Sequence, residues 1–454
     1  MKAFSVSAFA LLSVLIAALL FTGIVVFAAS EGEEVKIPGQ YIVVLNDSVT
    51  DVDGAEEELT RQARGERLLS YRHALRGFSA RLTPEAAAEL ANDPRVAFVS
   101  EDRLVSIVGR EDIRTDRELR TETGRETDVE QERSSASRHR DFSDTAVSGA
   151  AQVIPTGVDR INAENKANKG AGVHVAVIDT GIALDHPDLK NVVVGGKNCS
   201  SGTSYKDGNG HGTHVAGTIA ALDNSIGVVG VAPEAKLWAV RVLNNSGTGS
   251  WSTVICGLDF VASKGPMNGG PITVANMSLG GGGTSDNNCG FSNNDALHKA
   301  VCRVRDAGVT LVVAAGNSNA DATKSVPAAY NDAVITVSAL VDSNGTSGGG
   351  GPSTSYGADD TFASFSNWGA PVDIGAPGVN IYSTWLKKGY KSISGTSMAS
   401  PHAAGAAALY LATNPGALWS EVRDALIGSG EVLGAGHTDP SGKHPENVLR
   451  ADFL

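Results

Sequence analysis

From about residue 151 onward, short apolar runs alternate with longer stretches of helical period. The runs 173–178, 237–242, 272–277, 310–315 and 334–337 are largely apolar and rich in β-branched residues, as strands buried on both faces are. Helical patterns occupy 211–222, 252–263, 294–307 and 397–412. This alternation predicts an α/β fold, a doubly wound and mostly parallel sheet covered on both sides. Residues 36–108 have a different rhythm. Positions 41–45 (YIVVL) form an apolar strand, 55–70 favour a charged helix, and 75–82 alternate like a strand. Thr83-Pro84-Glu85 opens a helix, with Thr as N-cap and Pro in the first turn, and Asp93-Pro94 closes it. The run 96–99 returns as a strand. The order β-α-β-α-β predicts a small ferredoxin-like α+β sandwich.

Two stretches follow neither rhythm. Between Lys2 and Glu31 no charge occurs, and the apolar run ends in Ala28-Ala29-Ser30, the form of a secretory signal peptide over residues 1–30. The run is long enough that residues 4–27 would also serve as an uncut membrane anchor, with the remainder facing outward. Residues 109–150 mix both charge signs with almost no apolar positions. They cannot bury enough surface to offset chain entropy, so a disordered linker is expected there.

Composition narrows the function classes. The chain has 454 residues, 42% of them apolar, and a net charge of −13. It is too apolar to be disordered throughout and too acidic for a general nucleic-acid binder. Four cysteines, all beyond residue 198, fit an oxidising exterior. Cys289 and Cys302 flank a polar loop and a helix start and are expected to pair, which leaves Cys199 with Cys256.

Candidate chemistry sits at element ends, where open α/β sheets carry their sites. Asp179 follows a strand in VIDTGIALDHPDL. His211 opens a helix of small residues in GHGTHVAGTIAA. Asn317 ends the strand VVAAGN, and Ser397 lies at a helix start in SGTSMASPHAAG. Singly, these residues read as a helix cap, a buried histidine, a turn former and an N-cap. His211 and His214 stand at a metal-like spacing, but Gly212 occupies the place where a zinc peptidase needs its glutamate. Together the four supply a carboxylate, an imidazole, an amide and a hydroxyl. Those are the parts needed to activate a serine and to stabilise an oxyanion.

These motifs, with NMSLGGG between them, occur in the order Asp, His, Asn, Ser, and the chain from about 151 to 430 resembles the subtilisin-like serine peptidases. The resemblance implies a subtilisin-like domain over 151–454, with Asp179, His211 and Ser397 as a triad and Asn317 as oxyanion donor. It implies a peptide lying between two glycine-rich edges. One comprises Gly247, Thr248, Gly249 and Trp251, with the indole over an apolar subsite. The other comprises Ser278, Leu279, Gly280 and Gly281, and Ala314 and Gly316 border the same cleft. It also implies structural Ca2+ held by Gln152, Asp188, Leu222, Asn224, Ile226 and Val228, with Asp373 at a second site. No cofactor is expected for the chemistry itself. Residues 36–108 resemble the inhibitory propeptide of the same family. The expectation is a secreted, monomeric endopeptidase made as a self-processed precursor, cut near Ala150–Ala151 or within the Arg-rich linker. Its cleft is expected to prefer apolar or aromatic side chains over basic pairs.

Overall fold

The structure, a computed structural model, describes residues 34–107, 151–164, 166–452 and 454. The signal-like run and the 109–150 linker lie outside the described residues. Among the described residues no helix is long and apolar enough to cross a membrane. Both described segments belong to one compact unit.

The N-terminal segment folds as β1 (Lys36–Leu45), α1 (Val52–Gln62), β2 (Glu66–Tyr71), β3 (Gly77–Arg81), α2 (Pro84–Leu90) and β4 (Val96–Ile107). Its antiparallel strands are ordered β4-β1-β3-β2. The expected helix over 55–70 is shorter. It stops at Gln62, and the remainder becomes β2, because Arg64 takes a positive φ of 49° and turns the chain before Gly65. The sandwich therefore has four strands, not three. Thr83 caps α2 as expected, its Oγ1 accepting from Ala86 N at 3.2 Å. Alternation along β1 sorts its side chains. Val43 and Leu45 pack with Leu59, Phe78 and Leu90 beneath the two helices, whereas Ile42 and Val44 face the peptidase-like segment.

The C-terminal segment is built on a seven-stranded parallel sheet ordered β14-β13-β11-β9-β5-β7-β6. In chain order these strands are β5 (His174–Asp179), β6 (Val193–Asn198), β7 (Lys236–Arg241), β9 (Ile272–Met277), β11 (Thr310–Ala314), β13 (Val334–Leu340) and β14 (Ile374–Pro377). Short strands β8 (Thr248–Ser250), β10 (Leu279–Gly282) and β12 (Ser325–Val326) lie off this sheet, and β15 (Ile381–Thr384) pairs with β16 (Tyr390–Ile393). A one-turn helix α3 (Thr156–Arg160) leads into the sheet. Helices α4 (His211–Ala220) and α7 (Thr396–Thr413) cover one face. Helices α5 (Trp251–Ser263) and α6 (Ala296–Asp306) cover the other, and α8 (Trp419–Ser429) packs outside α7. β5 shows the division, with Val175 and Val177 toward α4 and α7 and Ala176 and Ile178 toward α5. Both cystine bridges form as expected, Cys289–Cys302 and Cys199–Cys256.

Candidate active site

The sheet order reverses beside β5, and β5 ends in Asp179. The Asp179 carbonyl accepts from Val242 N at 2.9 Å and Leu243 N at 3.2 Å, which pins the strand end. His211 is the first residue of α4. Asp207 holds that helix start, accepting from Gly210 N, Thr213 N and Thr213 Oγ1, and it also takes Thr180 Oγ1 from the residue after Asp179. His211 Nδ1 thereby sits 2.9 Å from both Asp179 carboxylate oxygens, and both residues are fully buried. His211 Nε2 is buried and has no partner among the described residues. The glycine at 212 is required by the close approach. A Cβ there would lie 2.2 Å from Gly181 O, so no glutamate fits. His214 faces elsewhere, its Nε2 on the carbonyls of Ile381 (2.8 Å) and Lys391 (3.1 Å), and burial pushes its pKa down to about 3.

Ser397 is not an N-cap. Gly395 is the N-cap of α7, and Ser397 stands second in the helix, fully buried. Its hydroxyl donates to Ser278 O at 3.3 Å and not to His211 Nε2. Pro401 explains the local wiring. Proline has no N–H to give the carbonyl four residues back, so Ser397 O instead accepts the Ser278 hydroxyl at 2.8 Å. Asn276 Nδ2 donates to the same hydroxyl, and Asn276 Oδ1 accepts from Ser400 Oγ.

Asn317 is held by a residue that the sequence did not single out. Thr396 donates both its N–H (2.8 Å) and its Oγ1–H (2.9 Å) to Asn317 Oδ1, while its Oγ1 accepts from Gly316 N. With Oδ1 engaged twice, the amide plane is fixed and Nδ2 is directed away from Thr396. Asn367 braces the same turn, accepting from Ser318 N and Ala320 N and donating to Ala315 O. In the first turn of α7, Met398 N and Ala399 N go to Gly395 O and Thr396 N to Asn317. The Ser397 N–H is thus a donor that the helix itself does not use. The Ser397 hydroxyl and N–H and the Asn317 amide so lie together at the start of α7, and the oriented His211 imidazole stands at the start of α4, which packs against α7. That set can move a proton off a serine and receive negative charge on an oxygen.

Both glycine-rich edges are occupied. β4 runs well past the predicted 96–99, to Ile107, and its end lies antiparallel between them. On one side Leu104, Val105 and Ser106 pair with Ser250, Gly249 and Thr248. On the other, Ser106 and Ile107 pair with Gly280 and Leu279. Ile107 N donates to Gly247 O at 2.9 Å, and a Cβ on Gly247 would lie 2.8 Å from Ile107 Cδ1. Gly281 pairs with Val326 of β12, backing the edge. Val105 and Ile107 are buried in one cluster with Trp251 and Leu279, while Leu104 and Ser106 point to solvent. The Trp251 indole is fully buried under the Arg103 guanidinium, 4.2 Å from its ring centre. Ala314, at the end of β11, is buried beside this cleft.

The candidate calcium residues also converge. Asp188 accepts from Asn224 Nδ2 (3.1 Å), Val228 N (2.9 Å) and Tyr390 OH (2.8 Å). Gln152 Oε1 accepts from Asn224 N, and Leu222 N donates to Asp188 O. The carbonyls of Ser225 and Gly227 accept from Gln152 N and Val153 N, which ties the 225–228 loop to the chain at 152–153. The donors are all oxygen and carry one charge, a set that suits a hard cation. Asp373 lies apart. It accepts from Thr336 N at 2.8 Å, and burial pushes its carboxyl up to about 6.

Against known proteins, residues 170–443 match the model of the subtilase family and residues 40–107 that of peptidase inhibitor I9. Subtilisin DY of Bacillus licheniformis is 45% identical over 291 residues, covering 63% of this chain and 94% of the relative. Subtilisin J of Geobacillus stearothermophilus is 34% identical over 427 residues, 92% of each chain. A solved structure of a cold adapted subtilisin-like serine proteinase superposes with a TM-score of 0.53 at 38% identity, covering 65% of this chain and 97% of that one. The chain belongs to the subtilase family, as a serine endopeptidase carrying an inhibitor-type propeptide.

Proposed function

We propose that this chain is an exported endopeptidase made as a self-inhibited precursor, in which Ser397 is the nucleophile. Ser397 Oγ turns from Ser278 O and attacks a peptide carbonyl while His211 Nε2 takes its proton. Asp179 holds the imidazole tautomer and stabilises its charged form. Asn317 Nδ2 and the Ser397 N–H receive the oxyanion at the positive end of α7. His211 then protonates the leaving amine, and water hydrolyses the acyl-enzyme. The observation that carries this reading is the seat of β4, an added strand aimed at the nucleophile. Alternate burial of Val105 and Ile107 argues for substrates with apolar residues at those two positions.

The register also argues for the first self-cut. Leu279 faces Ile107 and Gly280 faces Ser106, so the described pairing ends one residue before Ser278. Ser278 O is 3.3 Å from Ser397 Oγ. The first self-cut proposed from this register is Val108–Gly109. A cut near Ala150–Ala151 becomes a second step that frees the end paired to the 226–228 loop, where Ala151 and Val153 bridge Ile226 and Val228. Residues 1–30 direct export as a cleaved signal.

Calcium would be held by Gln152, Asp188 and Asn224 and by the carbonyls of Leu222, Ile226 and Val228, with Asp373 in a second, weaker site. Its contribution when bound is to tie the residues after the second cut to the loop after α4. N-terminal sequencing of chains made by wild type and by Ser397→Ala tests the scheme. Wild type should begin at Gly109 before any later trimming, and the variant should remain joined at 108–109. An unchanged cut in the variant would overturn self-processing, and failure of a processed, calcium-loaded sample to react at Ser397 with a fluorophosphonate would overturn the nucleophile.

A further inference from the structure

Between the β2–β3 turn of the propeptide and the outer side of α6 lies a cavity of about 430 Å3. Its wall carries Arg72 and Arg76 from the propeptide and Lys299 and Arg303 from the peptidase, with Asp47 as its lining carboxylate. In a chain of net charge −13 this concentrates one sign at one place.

The four cations differ in how they are matched. Arg72 pairs with Glu56 and Asp53. Arg303 reaches Asp47 at 3.0 Å. Arg76 Nη1 donates to the carbonyls of Asp47 and Val49, both at 2.8 Å, which fix the guanidinium plane without neutralising it. Lys299 is 5% exposed, and among the described residues no carboxylate lies at ion-pair distance from it. Its Nζ lies over two ring faces, Phe291 at 5.0 Å and Phe98 at 5.8 Å. Burial of the side chain lowers its pKa, Asp47 pulls it up and Arg303 adds to the fall. Asp47 acts on it through space but is already held by Arg303.

We propose that this cavity binds a small divalent oxyanion of the sulfate or phosphate class, held by Lys299 and Arg303 on one wall and Arg76 on the other. Three considerations set the class. Guanidinium groups with a fixed plane favour tetrahedral oxyanions through paired N–H donors. Two cations, Lys299 and Arg76, lack a carboxylate, so a doubly charged ligand matches the deficit. The cavity exceeds one anion but is lined by charge, so the remaining volume takes water and not an apolar group. Because the two walls belong to propeptide and peptidase, the anion bridges them and slows their separation. That consequence rests on residues 36–107 being a detachable inhibitor; the binding itself does not.

The test uses the full-length Ser397→Ala precursor and inorganic sulfate as probe. Calorimetric titration at fixed ionic strength, balanced with chloride, should give saturable binding at one site. Phosphate in a parallel titration should also bind, and whichever binds more tightly identifies the natural source. Lys299→Met keeps the apolar stem against the two rings, and Arg76→Gln alters the opposite wall; each should weaken binding by at least about tenfold. No heat beyond the chloride control, or affinity unchanged in both variants, would overturn the site. Mass measurement separates this from the maturation scheme. A precursor cut at 108–109 despite the substitution would sink self-processing, while its still-associated pieces would report on the anion as before.

Discussion

Helices α4 and α7, on one face of the sheet, differ from α5 and α6, on the other, in what they present to a partner. α7 is buried from Thr396 to Leu409 and built largely of Ala, Gly and Ser, so it packs as a permanent core element. The rings of the histidines inside that face, His214 and His402, hydrogen-bond to backbone carbonyls. α5 and α6 instead offer polar groups to the propeptide. Asp102 of β4 accepts from Ser252 N (3.0 Å) and Ser252 Oγ (2.5 Å) at the start of α5. Asp259, further along α5, accepts from Arg72, His73 and Ala74 N–H groups at 2.9, 2.6 and 2.8 Å. One face fixes the chemistry by packing. The other holds the inhibitor-type segment by hydrogen bonds as well as by an apolar seat that includes Ile42, Val44, Tyr71, Leu75, Phe98, Val105 and Ile107.

The division can be tested from its chemical side first. Ser397→Ala should lower kcat on a peptide substrate by about 10^6, the size known for subtilisin itself and not computed from this geometry. Propeptide docking on α5 and α6 should persist in the same variant, seen as one cooperative melt of the precursor. Asn317→Ala should cost about 10^2–10^3 in kcat at unchanged KM, again a magnitude borrowed from subtilisin. Thr396→Val, which removes one of the two bonds to Asn317 Oδ1, should cost about tenfold in kcat and be restored by Thr396→Ser. A Thr396→Val enzyme with full activity would show that the Asn317 amide needs no such support.

On the other face, Asp259→Ala should weaken propeptide affinity by about 10- to 100-fold, because charge-assisted hydrogen bonds contribute about 1.5–3 kcal/mol each set. The activity of the freed enzyme should not change. Slow-binding inhibition kinetics read both quantities, and a matching fall in kcat would mean that the two faces are not separable. The last prediction concerns pH. Burial pushes His214 down to about 3 and His402 to about 4, from an ordinary 6.5. Unfolding lets both bind protons below 6.5, so their contribution is intact above that pH and is lost as pH falls toward 3–4. At pH 5 each should cost about 2 kcal/mol of stability. Thermal melts of the Ser397→Ala chain from pH 7.5 to 5 check this, and His402→Leu should flatten the slope if its cavity tolerates the change.

The parallel sheet was legible because strands buried on both faces must be apolar along their length, and because small-residue helices announce a crowded core. The four candidate site residues stood out in the sequence because each lies at or just beyond an element end and carries reactive chemistry. Their supports did not. Thr396 and Asn367 act through hydrogen bonds whose partners lie about 50 to 80 positions away in the chain, and no local pattern marks such a contact. Asp207 was within reach of the sequence, since an aspartate shortly before a helix start is a capping signal. Residues 66–71 were misread because ERLLSY has helix-favouring composition, and only pairing with β3 makes it a strand. The length of β4 was hidden for the same reason. Its partners at residues 104–107 are edges of the other segment, so its propensity alone gave no boundary.

Pro401 carries a consequence of its own. A residue that spoils a helix rung here exports one carbonyl of α7 to the glycine-rich edge, coupling the Ser397 backbone to Ser278. Replacing it by alanine would mend the helix and give that carbonyl a rival donor at home. A gain in local regularity would then loosen the wall against which the substrate is aligned.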